Sequence, residues 1–284
     1  MTRRLSTIFL ASVILVLTLS GRAVAQSSVR PTFSTQSEES FNDIQVVVVP
    51  FYAWLTGMSG TLGMKGNQTN FDYSFADLAR WVNFAATGHV EVIYRNHWGM
   101  LGEFNYAWLG DQNSNKNVII DRQTSLALTD VAAFYRFDPF TLGKSGGGKT
   151  YIDLLAGARI WDFSLRMNIN TSLGGQSAYQ QAAWADPIAG ARALIELSDK
   201  WLLEFRGGVG GFGVSSAFTW DAMGLIGWTV WEQKKHTPDF HLERLTLLAG
   251  YRAIGDTYDR GSGSNSFKYH TVLNGPVAGV AFVF

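Results

Sequence analysis

From Gln45 to the C-terminus the chain is built of segments of roughly ten residues in which apolar and polar residues alternate. Successive side chains of a β-strand point to opposite faces, so the pattern predicts strands with one apolar and one polar face. Tilted strands of about nine to eleven residues are long enough to cross a membrane. Ten strands are predicted, at residues 45–56, 83–95, 98–109, 124–137, 151–163, 184–197, 201–214, 217–231, 243–255 and 267–284.

The predicted fold class is all-β: an antiparallel transmembrane β-barrel of ten strands, with eight or twelve as the alternatives. Strand 98–109 shows the alternation most clearly, because Trp98, Met100 and Phe104 share one face and Glu103 and Asn105 the other. In a barrel the aromatic face meets lipid and the charged face lines the interior. A soluble β-sandwich would show the same alternation with the faces reversed.

The N-terminus favours the membrane alternative. Arg3 and Arg4 precede the uncharged run "IFLASVILVLTL", and Ala23-Val24-Ala25 provides a small-residue cleavage motif. This layout predicts a cleaved signal peptide over residues 1–25, with a single anchoring helix as the alternative. Residues 26–43 are polar and predict a flexible periplasmic lead-in. Residues 44–284 are expected to form the barrel.

Aromatic residues near the predicted strand ends also favour a barrel, because Trp and Tyr prefer the two interfaces of a membrane. The predicted location is the outer membrane of a Gram-negative bacterium. The aromatic residues concerned are Trp98, Trp108, Tyr135, Phe137, Trp201 and Trp231.

The overall charge argues against some partners. The chain has 23 acidic and 23 basic residues, so no net field attracts nucleic acid. It has no cysteine, which suits an oxidising compartment. No cofactor or metal motif is present, and the oligomeric state is left open.

Three long outer segments are predicted opposite the termini, at 57–82, 110–123 and 164–183. Within the first, Ser74 and Asp77 have capping-box spacing, which predicts a short helix over 74–82 at the mouth of the barrel or inside it.

The chain ends in "GPVAGVAFVF", in which Val280, Phe282 and Phe284 share one face. Together with "PFYAWLTGMSGTLG", "FDYSFADLA", "WADPIAGARALIELSDKWLLEFRGGVGGFGVSSAFTW" and "LLAGYRAIGDTYD", this end resembles a family of uncharacterised bacterial outer-membrane β-barrel proteins. The resemblance covers most of the mature chain. It implies that the C-terminal aromatic strand is recognised by the barrel assembly machinery, and it implies no activity.

Charged residues recur on the face expected to be internal. Three predicted strands each carry an Asp and an Arg six residues apart, so in antiparallel neighbours Asp130 is expected near Arg159 and Arg136 near Asp153. Such pairing is required because an unpaired buried charge is very unfavourable. The predicted internal network comprises His89, Glu91, Arg95, Glu103, Asn105, Asp130, Arg136, Asp153, Arg159, Asp186, Arg192, Glu196, Glu204, Arg206, Arg244 and Arg252.

A second cluster is expected where strands two and three meet. If residues 96–98 form a three-residue loop, Glu91 lies opposite Glu103 and His89 opposite Asn105. Two facing carboxylates would share a proton or recruit a cation such as arginine, and beside histidine they could form a catalytic or cation site.

These patterns give a primary function and two alternatives. The primary interpretation is a barrel that is structural or forms a narrow passive, porin-like pore for water and small solutes. One alternative is a hydrolase at the outer rim using Asp256, Asp259 and His270, although the nucleophile and metal motifs of known enzymes are absent. The other is adhesion or partner binding through the 164–183 loop.

Overall fold

A computed structural model describes residues 44–115, 118–142, 148–171, 174–233 and 241–284 of the chain. The predicted signal peptide and periplasmic lead-in lie outside these residues. Almost every described residue belongs to a strand. The strands are β1 (Ile44–Val49), β2 (Tyr52–Trp54), β3 (Gly57–Met64), β4 (Asn67–Tyr73), β5 (Val82–Tyr94), β6 (Trp98–Asn115), β7 (Val118–Arg136), β8 (Phe140–Thr141), β9 (Lys149–Thr171), β10 (Gly174–Glu196), β11 (Trp201–Gly210), β12 (Phe218–Glu232), β13 (Arg244–Arg260) and β14 (Phe267–Val283).

The sheet closes on itself into an antiparallel barrel of ten wall positions, as the alternation predicts. β1, β2 and β3 follow one another along β14 and together make the first position; the others are β5, β6, β7, β9, β10, β11, β12, β13 and β14. At the seam Val47 pairs with Val283, and Val46 and Phe284 exchange backbone hydrogen bonds of 3.1 and 2.9 Å. The last residue of the chain is therefore part of the ladder.

The two faces of the wall are oriented as the barrel interpretation requires. On β6 the outward side chains of Trp98 and Met100 are 62% and 60% exposed, whereas Leu101 and Glu103 are buried inside. The outward face near the termini carries an aromatic group, in which the Trp98 and Tyr135 rings lie 4.8 Å apart and the Phe137 ring 5.3 Å from Tyr135. Phe282 lies outward and Val283 is fully buried inward.

Two segments predicted as outer loops are strands instead. β6 and β7 stay paired to Asn115 and Val118, and β9 and β10 to Thr171 and Gly174. The prediction was wrong because residues 110–115 and 174–183 have only polar or small side chains on most positions of both faces, which is the composition of a loop but also of strands outside the membrane. On β9 the alternation of Leu165, Met167 and Ile169 with polar residues continues the strand pattern beyond the predicted end at residue 163. Residues 110–115, 118–123, 164–171 and 174–183 form a four-stranded continuation of the wall, here named the outer sheet.

The first outer segment contains the hairpin of β3 and β4 and then the helix α1 (Phe75–Ala79). Its capping box forms as predicted, since Ser74 Oγ accepts from Asp77 N (3.3 Å) and Asp77 Oδ2 accepts from Ser74 N (3.0 Å). The helix ends at Ala79 rather than at Val82, where β5 begins. It packs on β3 and β4 with Leu78 buried. No helix among the described residues combines the length and the apolar character needed to span a membrane.

The outward face gives a direct test of orientation. Ala156 lies outward near the middle of the part of β9 that precedes the outer sheet and is exposed, so in Ala156→Arg a guanidinium would lie near the bilayer midplane. We expect the free energy of unfolding to fall by about 2–4 kcal/mol, measured by denaturant titration in lipid vesicles. Ala178→Arg, on the exposed outer sheet, is the matched control and should change it by less than about 0.5 kcal/mol. Equal effects would contradict the membrane orientation.

The capping box gives a pH-dependent prediction. Hydrogen bonds from the Ser74 hydroxyl and amide lower the pKa of the Asp77 carboxyl below its ordinary value. A depressed pKa in the folded state stabilises α1 above the ordinary carboxyl pKa, and this stabilisation is lost as the pH falls through the lowered pKa. The hydrogen-exchange protection factor of the Leu78 amide, which donates to Ser74 O at 3.1 Å, should therefore decrease in acid. In Asp77→Asn it should not change with pH over that range.

Candidate functional site

The interior of the barrel contains a band of buried charged residues at mid-height, here named the central network. It lines the inward face of nearly every wall position, and its arginines are almost completely buried. Its members are Tyr52, His89, Glu91, Glu103, Asn105, Asp130, Arg136, Asp153, Arg159, Arg192, Glu204, Arg206, Asp221 and Arg252.

Pairs on adjacent strands follow from the register. Arg136 lies opposite Asp153 and binds it through two hydrogen bonds of 2.7 and 2.8 Å. Arg159 lies opposite Asp130 and binds it through two of 2.8 Å. Arg192 donates from Nε to Asp153 Oδ2 at 2.9 Å. Two-pronged contacts between a guanidinium and a carboxylate are among the strongest hydrogen bonds in proteins.

Other pairs cross the lumen, which the sequence did not indicate. Arg192 on β10 donates to both carboxylate oxygens of Glu91 on β5, with Nη2 3.1 Å from Oε2. Arg206 on β11 donates to Glu103 on β6 at 3.0 Å, and Arg252 on β13 donates to the other oxygen of Glu103. In each pair the partners are four wall positions apart in the ring of ten. These side chains therefore link opposite parts of the wall.

His89 and Tyr52 join the carboxylates of the network. The His89 ring lies between Glu91 (Nε2–Oε1, 2.9 Å) and Glu103 (Nδ1–Oε2, 3.5 Å). The Tyr52 hydroxyl lies 2.6 Å from Asn105 Oδ1 and 3.0 Å from Glu103 Oε1, so it can donate to either. The cluster expected between strands two and three therefore forms, and its carboxylates are bound by arginines from across the lumen.

The predicted register of that cluster was wrong by two residues. The β5–β6 turn comprises residues 95–97, with Tyr94 opposite Trp98, so that His89 faces Glu103 and Glu91 faces Leu101. The inward assignment of Arg95 was also wrong. Arg95 lies in this turn with φ of 49°, is exposed, and places its guanidinium 5.2 Å from the centre of the Tyr94 ring.

Four residues of the predicted network lie near the strand ends or make weaker contacts. Glu196 accepts from the Lys149 amide at 3.1 Å, and Arg244 binds Glu232 at 2.5 Å, both near the termini. Glu204 is 3.9 Å from Arg192. Asp186 lies opposite Arg159 in the register, and near the outer end it accepts from the amide and hydroxyl of Ser216 at 2.7 Å.

Towards the outer end the interior is aromatic rather than charged. Trp184 stacks on Tyr258 with ring centres 4.2 Å apart, and the Trp161 ring lies 5.8 Å from Trp184. This aromatic layer was missed because aromatic residues were expected to face lipid. The alternation along β9 would have predicted the inward position of Trp161, because Asp153, Arg159 and Trp161 are all odd-numbered residues and therefore lie on the same face. The layer comprises Trp161, Phe163, Trp184, Tyr258, Phe267 and Tyr269.

On its other side the central network borders a small cavity. The cavity has a volume of about 70 Å³ and lies between the network residues Glu91, Glu103 and Arg252 and apolar side chains such as Val47 and Val277. Since one buried water needs roughly 10–15 Å³, there is room for about five waters. A second, smaller cavity of about 30 Å³ lies beside Asp130, Arg159, Arg206 and Asp221.

The residues proposed for a rim hydrolase do not come together. Asp256 is buried inside the wall and accepts a hydrogen bond from Ser216 Oγ at 3.0 Å. His270 and Asp259 form a pair of 2.9 Å (Nε2–Oδ2) that is half-exposed and on the outward face. Across the residues that the structure covers, no group of three or more potential metal ligands is arranged around a common centre.

Neither a family model nor a curated protein matches this chain. Among solved structures it is similar to that of Ail, the attachment invasion locus protein of Yersinia pestis, in complex with the heparin analogue sucrose octasulfate. The sequence identity is 9% and the TM-score is 0.35, and the match covers 85% of this chain and 98% of that chain. It is also similar to a Pseudomonas aeruginosa FadL homologue, at 8% identity and a TM-score of 0.27 over 85% and 89%. Values this low do not assign the chain to either family.

The cross-lumen pairs give a prediction about stability. In Glu103→Gln, Arg206 and Arg252 lose the carboxylate that they share, and breaking a buried ion pair typically lowers the free energy of unfolding by about 3–5 kcal/mol. Denaturant titration in vesicles measures the change. The control is Asp111→Asn, which removes a partly exposed pair with Arg122 at 3.9 Å and should change the stability by less than about 1 kcal/mol. If the two variants were equally stable, the network would not hold the walls together.

Proposed function

We propose that this chain is an integral outer-membrane β-barrel protein with a closed interior, and that its role is structural rather than conductive. In this proposal residues 1–25 are a cleaved signal peptide and residues 26–43 lie in the periplasm. Its partners are the lipids of the outer membrane and the barrel assembly machinery, which binds the C-terminal strand with Val280, Phe282 and Phe284.

The membrane location is supported by the wall itself. Apolar side chains cover its outward face, among them Met100, Leu154 and Phe205, which are exposed in the isolated chain. Charged groups of the central network occupy the inward face. A water-soluble protein of this size would place these two sets of residues the other way round.

One observation supports the proposal of a closed interior: ion pairs join opposite parts of the wall through the lumen. A narrow polar pore requires a continuous path of water, but Arg159 is 1% exposed and Arg206 is 9% exposed. Opening a path would separate Arg192 from Glu91 and Arg206 from Glu103, and each buried charge would lose its partner. The aromatic layer closes the outer side of the same path.

A second function, partner binding at the outer surface, is favoured by the length of β9 and β10. Each has 23 residues, whereas crossing the hydrocarbon takes about nine to eleven. About half of each strand therefore extends beyond the span, and the outer sheet presents this part to the surroundings. The rim hydrolase has no such support, because Asp256 is separated from the Asp259–His270 pair.

Conductance tests the proposed closure. We expect the full-length mature protein, folded into planar bilayers, to give no ion conductance steps above the bare membrane, whereas a general porin under the same conditions does. Insertion is established independently by the shift between folded and heat-denatured mobility in gel electrophoresis and by protection from protease. Regular conductance steps from protein shown to be inserted would refute the closed interior.

A further inference from the structure

The edge of β10 in the outer sheet is an open β-strand edge. From Gly175 to Trp184 this strand pairs with β9 on one side, and β11 joins its other side only from Ile188 onwards. β11 ends at Gly210 and β12 begins only at Phe218, so neither strand reaches as far outward as β10. In the described part of the chain no strand covers this stretch. We name residues 175–184 the β10 edge.

The backbone groups that point away from β9 can be identified. Pro187 O accepts from the Gly211 amide at 3.0 Å and Ala185 O accepts from Ser215 Oγ at 2.8 Å, both on the β11 side. In an antiparallel ladder every second residue directs its N–H and C=O to the same neighbour. The amides of Ser177, Tyr179 and Ala183 therefore face the open side.

The composition of this edge lacks the usual protection. Residues 174–185 read "GGQSAYQQAAWA", without a charge or a proline. Exposed edges in soluble proteins are normally blocked by lysine, proline, a bulge or a covering element. The β10 edge is therefore suited to accept a strand.

We propose that the β10 edge pairs with the β10 edge of a second copy of this chain, antiparallel and about a two-fold axis near Tyr179. Two identical edges match in length, every open N–H meets an open C=O, and no charges oppose each other. Residues 175, 177, 179, 181 and 183 of each copy would then form about ten backbone hydrogen bonds.

The direction of the strands restricts where such pairing occurs. Two barrels in one membrane are related by an axis along the membrane normal, which makes their β10 strands parallel. Outer sheets that project from two facing membranes bring these strands together antiparallel. The contact thus joins facing membranes, and this step rests on the proposed membrane orientation.

Disulfide trapping tests the pairing. Because the chain has no native cysteine, any disulfide must form through the introduced residue. At the two-fold axis the Cα atoms of residue 179 would lie about 5.5 Å apart, which a disulfide can span. In detergent, where the relative orientation is free, Tyr179→Cys should form a disulfide dimer at least about ten times faster than Thr69→Cys, an exposed site on β4. Equal rates would overturn the proposal.

A second variant separates strand pairing from random collision. Ala183→Pro removes an amide that faces the open side and keeps the β9 ladder intact, so the barrel still folds. Combined with Tyr179→Cys it should reduce dimer formation at least about tenfold, and a free peptide "GGQSAYQQAAWA" should reduce it where a scrambled peptide does not. Dimers that survive both changes would contradict edge pairing.

Vesicles distinguish this inference from the proposed function. Vesicles that carry the mature protein with its outer sheet exposed should aggregate, and those carrying Ala183→Pro should not. A barrel that conducts ions but still crosslinks through residue 179 would refute only the closed interior. A silent barrel whose Tyr179→Cys variant crosslinks no faster than Thr69→Cys would refute only the edge pairing.

Discussion

Closure of the sheet is the constraint on which the rest of the structure depends. Within hydrocarbon no water can satisfy a backbone N–H or C=O, so the last strand must pair with the first. The first wall position meets this requirement although Pro50 interrupts it between β1 and β2. The Thr87 hydroxyl replaces the missing ladder bonds by accepting from the Tyr52 amide at 3.0 Å and donating to the Tyr52 carbonyl at 2.5 Å. The interruption also positions the Tyr52 ring inside the barrel, where its hydroxyl reaches Glu103. A local repair of the seam thereby supplies a member of the central network.

Closure with ten strands also determines what the interior must contain. A barrel of about eight strands is just wide enough to be filled by side chains, and ten strands leave slightly more room. Arginine is long enough to use that room, which is why Arg192, Arg206 and Arg252 reach carboxylates four wall positions away. Several carboxylates of the network are consequently shared: Glu103 binds two arginines and lies beside His89, and Asp153 binds both Arg136 and Arg192. Loss of one member leaves several charges with fewer partners, so the network should act as a unit.

Much of this fold could be predicted from the sequence, because the period of two fixes the inward or outward direction of each side chain without any tertiary information. The ten wall positions, the outward Trp98 and Met100, and the register of Asp130 with Arg159 all follow from it. Contacts across the lumen cannot be predicted in this way, since they depend on the width and shear of the closed barrel.

The prediction of the β5–β6 register was wrong for a local reason. Residues 95–97 form the turn, and Arg95 and Asn96 adopt positive φ, which their residue types indicate only weakly. The aromatic layer was missed because Trp161 was assigned by residue type rather than by parity.

The contrast between the membrane span and the outer sheet explains why an open edge occurs where it does. Inside hydrocarbon an unpaired strand edge would leave several polar groups unsatisfied, and each would be unfavourable by several kcal/mol. Above the membrane water can satisfy them, so β10 can continue past the last residue of β11 without a partner on that side. Water satisfies these groups reversibly, and a matching strand can replace it. The polar, uncharged composition of residues 174–185 fits both states, because Gln and Ser are compatible with water and none of these residues opposes a second strand electrostatically. The requirement that closes the barrel inside the membrane therefore leaves its outer continuation free to carry a specific contact.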